Sequence, residues 1–361
     1  MEYNSLFILW QSDLQVIKTK DTQVREAFVD VADVQVGSRV LDLGWEEDCL
    51  ECLRETGARV TFVGEDIRAV QKAEALGING VLSAMPAQVI SDARVVFYKP
   101  VQRSAKGQVF EWIDQGFQAL EMGGALYLAG QRNRGIRSYA AYLQAVFGNS
   151  RRAGRVGRVE VYSAKKERSN PCQAPIDNRM TFELRDLPGS PYRVETRAGV
   201  FSRDGLDDGT RLLIDCMKVR PADHVLDWGC GWGALGMVAA RLSVKGNATL
   251  IDSNIRAVSC AEENLKRNQI CNAVARVEDA RIIDRREKFD LIISNPPFHD
   301  GNTAAHPLIE GAFRALRPGG RLMLVVMRPA AYLKHIRRVF GQGEVVAQKD
   351  GYVVLKGYIG N

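Results

Sequence analysis

Residues 224–233 read His-Val-Leu-Asp-Trp-Gly-Cys-Gly-Trp-Gly, a short apolar run that ends in an aspartate and passes into three alternating glycines. A buried strand before this turn, and helical spacing in residues 234–242 after it, predict a strand–turn–helix unit. Gly229, Gly231 and Gly233 allow a tight turn and let a ligand approach the backbone closely. Taken alone, such a turn is a weak signal, because nucleotide and dinucleotide sites share it.

Strands and helices alternate through the rest of this half. Apolar runs at residues 248–251, 291–293 and 322–326 are separated by segments with helical periodicity, and Pro318-Gly319-Gly320 predicts the end of the last helix before a strand. The alternation predicts an α/β fold with a doubly wound parallel sheet. In such sheets ligands bind at the carboxyl ends of the strands.

The same pattern occurs twice in the chain. The matching pairs are residues 39–44 and 224–229 (RVLDLG and HVLDWG), 66–70 and 254–258 (DIRAV and NIRAV), and 113–128 and 309–324. Three matches in the same order predict duplication of a whole domain. We therefore expect two tandem Rossmann-like domains, at residues 1–168 and 176–361, joined by a linker at residues 169–175 that is rich in turn formers.

The composition is that of an ordinary globular protein. The chain has 361 residues, 46% hydrophobic and 25% charged, which agrees with two domains and excludes disordered and collagen-like classes. Seven scattered cysteines do not predict a disulfide framework, and no cluster has metal-ligand spacing, so we expect no metal site. The sequence contains neither a bilayer-spanning apolar run nor signal-peptide features, so we expect a cytoplasmic protein without membrane contact.

Positive charge is concentrated in one segment. Residues 131–168 contain ten basic and two acidic residues, a surplus of eight in a chain whose total is +6. Phosphate neutralisation dominates nucleic-acid binding, so the segment predicts contact with a polyanion, with Arg151, Arg152 and Arg155 as substrate contacts. A solvated basic face without a partner is the alternative.

Carboxylates follow successive strands of the C-terminal half. Asp227 precedes the glycine turn, Asp252 ends the next strand, and Asp279 lies about one strand later. A carboxylate at Asp252 can accept both hydroxyls of a ribose, and Asp279 stands where an adenine amino group needs an acceptor. Together with the three glycines, these acids predict an S-adenosylmethionine pocket, although each aspartate could instead cap a helix.

Residues 294–301 (SNPPFHDG) directly follow the 291–293 strand. Prolines lack backbone donors, so the turn presents acceptors. The side-chain oxygen of Asn295 and the carbonyl of Pro296 can accept both N–H bonds of an exocyclic aromatic amine and direct its lone pair toward a methyl donor. Phe298 offers a ring on which a base can stack. Asn295-Pro296-Pro297-Phe298 is therefore the predicted catalytic motif.

These motifs resemble a known family. The C-terminal half resembles the class I S-adenosylmethionine-dependent methyltransferases, and within them the bacterial ribosomal RNA guanine-N2 methyltransferases. Residues 199–207 (GVFSRDGLD) and 294–301 resemble the two signatures of the small-subunit (16S) enzymes. The family also combines a degenerate domain with an active one, so the resemblance covers nearly the whole chain.

The resemblance implies roles for individual residues. The residues implied to hold S-adenosylmethionine are Asp227, Gly229, Gly231, Asp252 and Asp279, and we assign Gly233 and Asn295 to the cofactor site as well. Asn295 to Phe298 would hold the guanine. The loop from Phe201 to Leu206 would close over cofactor and base, with Phe201 and Arg203 touching the substrate. Without the family, a turn followed by a helix cap at Asp207 or Asp208 is the alternative.

The N-terminal copy has lost parts of this pattern. Asp42 and Gly44 remain, but acids and Trp45 replace the other glycines, and Lys99 stands in place of Asn295. Lysine has no acceptor for an amine's N–H bonds. We expect a degenerate, catalytically silent domain that positions RNA, with a purely structural role as the alternative.

We therefore expect a monomeric enzyme that methylates the N2 amine of a guanine in ribosomal RNA, with 16S favoured over 23S, either in free RNA or in a ribosomal subunit. Two departures from the family bear on this expectation: Trp232 is larger than the usual residue of the glycine turn, and residues 332–340 and 352–356 look more like the large-subunit (23S) enzymes. Methylation of adenine N6 or of a protein glutamine amide is a second hypothesis. A non-catalytic RNA-binding assembly factor is a third.

Overall fold

The computed structural model describes residues 32, 34–43, 53, 55–101, 104–279, 288–296 and 302–360, with the backbone alone at 156 and 302–305. The strands and helices of the N-terminal half are β1 (Arg39–Leu43), β2 (Arg59–Gly64), α1 (Ile67–Ala75), β3 (Asn79–Leu82), α2 (Pro86–Val89), β4 (Ala93–Tyr98), α3 (Lys106–Ala119), β5 (Leu120–Gln131), α4 (Ile136–Phe147), β6 (Arg151–Val156) and β7 (Val159–Lys165).

A two-stranded hairpin, β8 (Arg179–Leu184) and β9 (Tyr192–Arg197), precedes the C-terminal sheet. The remaining elements are α5 (Asp208–Cys216), β10 (His224–Trp228), α6 (Ala234–Leu242), β11 (Asn247–Asp252), α7 (Ile255–Arg267), β12 (Ala273–Val277), β13 (Phe289–Ser294), α8 (Asn302–Ala315), β14 (Leu316–Val326), α9 (Pro329–Phe340), β15 (Glu344–Lys349) and β16 (Tyr352–Tyr358).

Within the described residues, each half contains one seven-stranded sheet, and the two strand orders are equivalent. They are β3-β2-β1-β4-β5-β7-β6 and β12-β11-β10-β13-β14-β16-β15. The equivalence confirms the predicted α/β class and the repeated pattern. The boundaries at 1–168, 169–175 and 176–361 stay predictions, although residues 166–178 contain neither helix nor strand.

The sheets are parallel only in their first five strands. The last two pairings of each sheet, β5–β7 and β7–β6 or β14–β16 and β16–β15, are antiparallel, which the sequence prediction of a parallel sheet did not include. A two-residue connection between neighbouring strands can join only antiparallel partners. At Asp350 and Gly351, between β15 and β16, both φ angles are positive (49° and 84°), as in a type I′ hairpin turn.

Helices cover both faces of the C-terminal sheet, as a doubly wound fold requires. Leu291 and Ile293 of β13 face the core formed with α5, α6 and α7. Ile292, between them, faces the core formed with α8 and α9. Because successive side chains of a strand point to opposite faces, a continuous apolar run marks a strand buried on both sides.

The predicted bounds of α6, residues 234–242, are confirmed. The end of α8 differs from the prediction, because the helix ends at Ala315 and residues 318–320 lie within β14. There the ladder skips from Leu316 to Arg321, so the Pro-Gly-Gly segment bulges out of the sheet. A Cβ atom at Gly320 would lie 2.7 Å from the carbonyl oxygen of Arg317, so the bulge requires glycine. None of the helices in the described parts of the chain is long and apolar enough to cross a membrane.

Candidate active site

The glycine turn between β10 and α6 is open on one side. Gly229, Gly231 and Gly233 have φ angles of 78°, 54° and 97°. A Cβ atom at Gly229 or Gly231 would meet no described atom within 4 Å, whereas one at Gly233 would lie 3.3 Å from Leu250 and Ala261. Gly229 and Gly231 therefore leave space for a ligand, and Gly233 lets the turn pack against its neighbours.

Asp227 supports the turn from within the core. Its Oδ2 accepts a hydrogen bond from the N–H of Gly236 at 2.8 Å, and its Oδ1 has no partner among the described residues. Burial raises the pKa of this carboxyl to about 7; the Gly236 N–H lowers it and Asp252 raises it. The structure thus places Asp227 at the predicted site, fully buried, where it holds the first turn of α6.

Asp252 ends β11 and faces the turn. Its Oδ2 accepts from the N–H of Gly231 at 3.1 Å, and its Oδ1 accepts from the N–H of Asn254 at 2.9 Å. Each carboxylate oxygen retains a further lone pair, so both can also accept a ribose hydroxyl. The N–H of Glu278 donates to the Asp252 carbonyl at 3.0 Å, which brings the buried Asp279 to the same edge of the sheet.

Asn295, the first residue after β13, is held in one orientation. Its Nδ2 donates to Oδ1 of Asp207 at 3.0 Å and to Oγ1 of Thr210 at 2.9 Å. Because a carboxylate only accepts, the amide nitrogen must face Asp207 and the amide oxygen must face away. That oxygen is buried and has no hydrogen-bond partner among the described residues. An unpaired buried acceptor is costly, so the site is suited to a ligand that brings a donor.

Asp207 is confirmed as a helix cap, and it has a second contact that sequence reasoning missed. It caps α5 by accepting from the N–H of Thr210 at 3.0 Å, and the same oxygen receives the Asn295 amide from 88 residues away. A signal was present, because Asp207 closes the first family signature and Asn295 lies in the second. Two signatures of one site are expected to meet in space.

The loop of residues 199–206 lies between the glycine turn and α5. Nε1 of Trp232 donates to the carbonyl of Ser202 at 3.2 Å, so the large residue in the turn anchors this loop. The Arg203 carbonyl accepts from Oγ1 of Thr196 at 2.7 Å. Phe201 is 60% exposed, an unusual state for a large apolar side chain, and it is free to stack on a base.

The structure describes only the first two residues of the predicted catalytic motif, Asn295 and Pro296. Pro297 and Phe298 lie outside the described residues, as do Gly44 and Trp45 of the N-terminal copy. Pro296 is described and is buried beside Asn295. The stacking role of Phe298 therefore stays a prediction.

The basic segment is a surface feature with one exception. Nine of its ten basic side chains are exposed, and Arg151, Arg152 and Arg155 lie on the edge strand β6. Lys166 is buried, and its Nζ donates to the carbonyl of Leu120 at 2.7 Å. Lys166 therefore belongs to the packing of the N-terminal half and not to the charged surface.

The N-terminal sheet lacks the acceptors found at this edge. By strand register, the positions of Asp252, Asp279 and Asn295 are occupied by Gly64, Ala84 and Lys99. None of these three side chains can accept a hydrogen bond. The degeneracy predicted from Lys99 therefore extends to both carboxylate positions.

The chain is similar over nearly its whole length to a curated methyltransferase. It is 30% identical over 349 residues to ribosomal RNA small subunit methyltransferase C of Pectobacterium atrosepticum, an alignment that covers 94% of this chain and 96% of that protein. The chain belongs to this family. The methyltransferase C of Erwinia tasmaniensis is 34% identical over 245 residues, 66% of this chain and 68% of that protein. The family model of the methyltransferase small domain matches residues 191–356.

A solved structure agrees with this membership. The T. thermophilus 16S rRNA N2 G1207 methyltransferase, in complex with AdoMet and guanosine, is 25% identical with a TM-score of 0.83, covering 94% of this chain and 91% of that one. The predicted family, the two-domain class I fold and the enzyme class, an S-adenosylmethionine-dependent methyltransferase, are confirmed. These relatives are small-subunit enzymes, so the large-subunit hypothesis loses its support.

Proposed function

We propose that this methyltransferase transfers a methyl group from S-adenosylmethionine to the exocyclic N2 amine of a guanine in 16S ribosomal RNA. The observation that carries the proposal is the Asn295 amide, whose nitrogen is fixed and whose buried oxygen has no hydrogen-bond partner in the described part of the chain. The similar T. thermophilus enzyme is an N2 G1207 methyltransferase solved with AdoMet and guanosine, which supports guanine over adenine N6 or a protein glutamine amide. A non-catalytic assembly factor would not need the acceptors retained here.

The cofactor is assigned to the edge of the C-terminal sheet. S-adenosylmethionine supplies an electrophilic methyl group when bound. Gly229 and Gly231 leave space beside their backbone, Asp252 accepts the ribose hydroxyls, and Asp279 accepts the adenine amino group. Asp227 acts indirectly, by holding the first turn of α6.

Asn295 activates the amine by accepting its hydrogen bonds. An amine conjugated to an aromatic ring is a poor nucleophile because its lone pair is delocalised into the ring. Oδ1 of Asn295 accepts one N–H and the Pro296 carbonyl accepts the other, so positive charge that develops on nitrogen is stabilised. In-line positioning contributes about 7–11 kcal/mol to lowering the barrier. Solvent takes up the proton after transfer, and stacking on Phe298 contributes about 1–3 kcal/mol.

The RNA is assigned to the exposed basic surface of β6. Arg151, Arg152 and Arg155 neutralise phosphates there, and the N-terminal half, residues 1–168, positions the RNA. That the enzyme is a monomer stays a prediction. A ribosomal substrate supports a cytoplasmic location.

Methylation of 16S RNA and of small ribosomal subunits that lack the modification tests the proposal. With labelled S-adenosylmethionine, nucleotide digests should contain N2-methylguanine, and Asn295→Ala should lower the rate about 100-fold. Asn272→Ala is the matched control, because that amide bonds the carbonyls of Ala240 and Ser243 at the opposite edge of the same sheet. Label in N6-methyladenine or in protein, or an unchanged rate in Asn295→Ala, would contradict the proposal.

A further inference from the structure

The two halves meet through the loops that follow β2 and β11, and the contact is nearly symmetric. The N–H of Ile67 donates to the carbonyl of Ser253 at 2.9 Å, and the N–H of Ile255 donates to the carbonyl of Glu65 at 2.8 Å. The two donors are repeat equivalents, as are the two acceptors, so each bond is the image of the other. This is the arrangement of a two-fold symmetric interface.

One pair of equivalents breaks the symmetry. Arg68 is 43% exposed and pairs with its own neighbour Asp66, whereas Arg256 is 1% exposed and crosses to the N-terminal half. Nε and Nη2 of Arg256 donate to Oε1 of Glu65 at 2.8 and 2.5 Å, and Nη1 donates to Oε2 of Glu111 at 2.7 Å. The buried guanidinium therefore has two carboxylate partners, both from the silent copy.

Glu65 is itself held rigidly. Nε1 of Trp112 donates to its Oε1 at 2.7 Å, and Nε2 of Gln108 donates to its Oε2 at 2.6 Å. Both donors lie on α3, and the Glu65 side chain is buried. Buried charges are tolerated only when every polar atom is paired, and a network that meets this condition fixes its members in place.

This network reaches the proposed cofactor site within four residues. We name residues 252–256 the ribose loop. Ser253 and Ile255 are bonded to the N-terminal backbone, Arg256 is held by Glu65, and Asn254 bonds the Asp252 carboxylate. The N-terminal half thus clamps the segment that orients Asp252.

We propose that Glu65 is a positioning residue for the cofactor. Through Arg256 it fixes the ribose loop, and the loop fixes the Asp252 carboxylate that receives the ribose hydroxyls. The inference rests on the proposed cofactor site. It gives the silent half a part in cofactor affinity that is separate from RNA contact.

Calorimetric titration of the full chain with S-adenosylmethionine, well below the unfolding temperature, tests the inference. Glu65→Gln should raise the Kd about tenfold and leave RNA affinity unchanged, because a small misplacement of a ligand's supporting groups is felt at the ligand. Arg256→Met, which removes the charge and keeps much of the side-chain volume, should act in the same direction. If either variant fails to fold, Glu111→Gln removes only the charge of the second partner of Arg256, which is 19% exposed, and should give a smaller rise.

Asp223→Asn is the matched control for lost stability. Asp223 and Arg321 form another buried pair, at 2.5 Å, but before β10 at the amino-terminal edge of the sheet. This variant should lower the unfolding temperature without changing the Kd. An unchanged Kd in Glu65→Gln and Arg256→Met, with unfolding temperatures lowered as in the control, would overturn the inference. Failure of the wild-type chain to bind S-adenosylmethionine would instead refute the proposed function itself.

Discussion

The N-terminal and C-terminal halves have equivalent strand orders, but the acceptors of Asp252, Asp279 and Asn295 have no counterpart at the equivalent described positions of the N-terminal half. Asp42 and Asp227, the equivalent acids of the first strands, are both completely buried. At the edge itself, the N-terminal half has Gly64, Ala84 and Lys99 in place of three acceptors. The fold thus depends on buried strands that both copies keep, whereas the proposed chemistry depends on a few edge side chains that one copy has lost.

The largest effect on the methylation rate is expected when Asn295 of the C-terminal half is replaced by the lysine of its N-terminal equivalent. Asn295→Lys removes the buried acceptor and places a cation where positive charge develops, so the rate should fall at least about 1000-fold. The methylation assay on small subunits measures this loss. Lys99→Asn, added to the same variant, should restore nothing because both carboxylates are still missing from that half; recovered activity would contradict the comparison.

The next effect concerns the buried acid of the active half. The pKa of Asp227 is about 7 in the native state and 3.8 in the unfolded chain, so the native state binds more protons between these values. Stability is therefore lost as the pH rises from about 4 to 7, by about 4 kcal/mol in the free energy of unfolding. Asp227→Asn should remove this contribution, while the raised pKa values of Asp114 and Asp252 leave a remaining dependence of the same sign. Urea unfolding at intervals of pH measures the free energy of unfolding of the wild type and of the variant. Parallel curves against pH would show that burial does not shift the pKa of Asp227.

A smaller loss is expected when Asp252 is changed to the residue of its equivalent, Gly64. Asp252→Gly removes two charge-assisted hydrogen bonds to the ribose, and the Kd for S-adenosylmethionine should rise about 100-fold. Calorimetry provides the measurement, with Asp290→Asn, near the start of β13, as a control whose affinity should not change. If Asp252→Gly binds S-adenosylmethionine with wild-type affinity, the assignment of the ribose to Asp252 is wrong. The reverse change in the silent half is blocked, because a Cβ atom at Gly64 would lie 2.9 Å from the ring of Phe62.

The smallest effect is expected at Asp207. Asp207→Asn keeps an N-cap for α5, since asparagine caps as well as aspartate, but it no longer forces the Asn295 amide into one orientation. We expect kcat to fall about tenfold with the KM for the cofactor unchanged. Asp208→Asn, at the exposed neighbouring residue, is the control and should retain full activity. Equal kcat values in the two variants would show that Asp207 serves only as a cap.

Local patterns account for what could be predicted from the sequence. The bounds of α6 follow from helical spacing after a glycine turn. The common position of Asp227 and Asp252 follows because parallel strands end at one edge of the sheet. The antiparallel edge of the sheet also has a local signal, Asp350-Gly351, which is typical of a hairpin turn.

Other features depend on contacts that no local pattern encodes. Asp207 meets Asn295 across 88 residues, and Glu65 meets Arg256 across 191. Register between distant segments is decided by packing of the whole domain, so a sequence alone shows such residues only as separate polar positions. Lys166 illustrates the same limit, because its charge suggested a surface position while its Nζ is satisfied by a buried carbonyl.

The symmetry-equivalent hydrogen bonds of Ile67 and Ile255 bear on how the two copies diverged in sequence. In this contact, equivalent residues of the two halves make equivalent hydrogen bonds to each other. Two identical separate chains can form such a two-fold symmetric contact as a dimer. Once both copies share one polypeptide, their association no longer depends on concentration in the cell, since a short tether supplies an effective concentration of roughly millimolar. Substitutions that would have separated two free subunits are then tolerated, and Arg68 and Arg256 can take unlike partners. Covalent fusion thus preserves the packing of a dimer while it releases one subunit from catalysis.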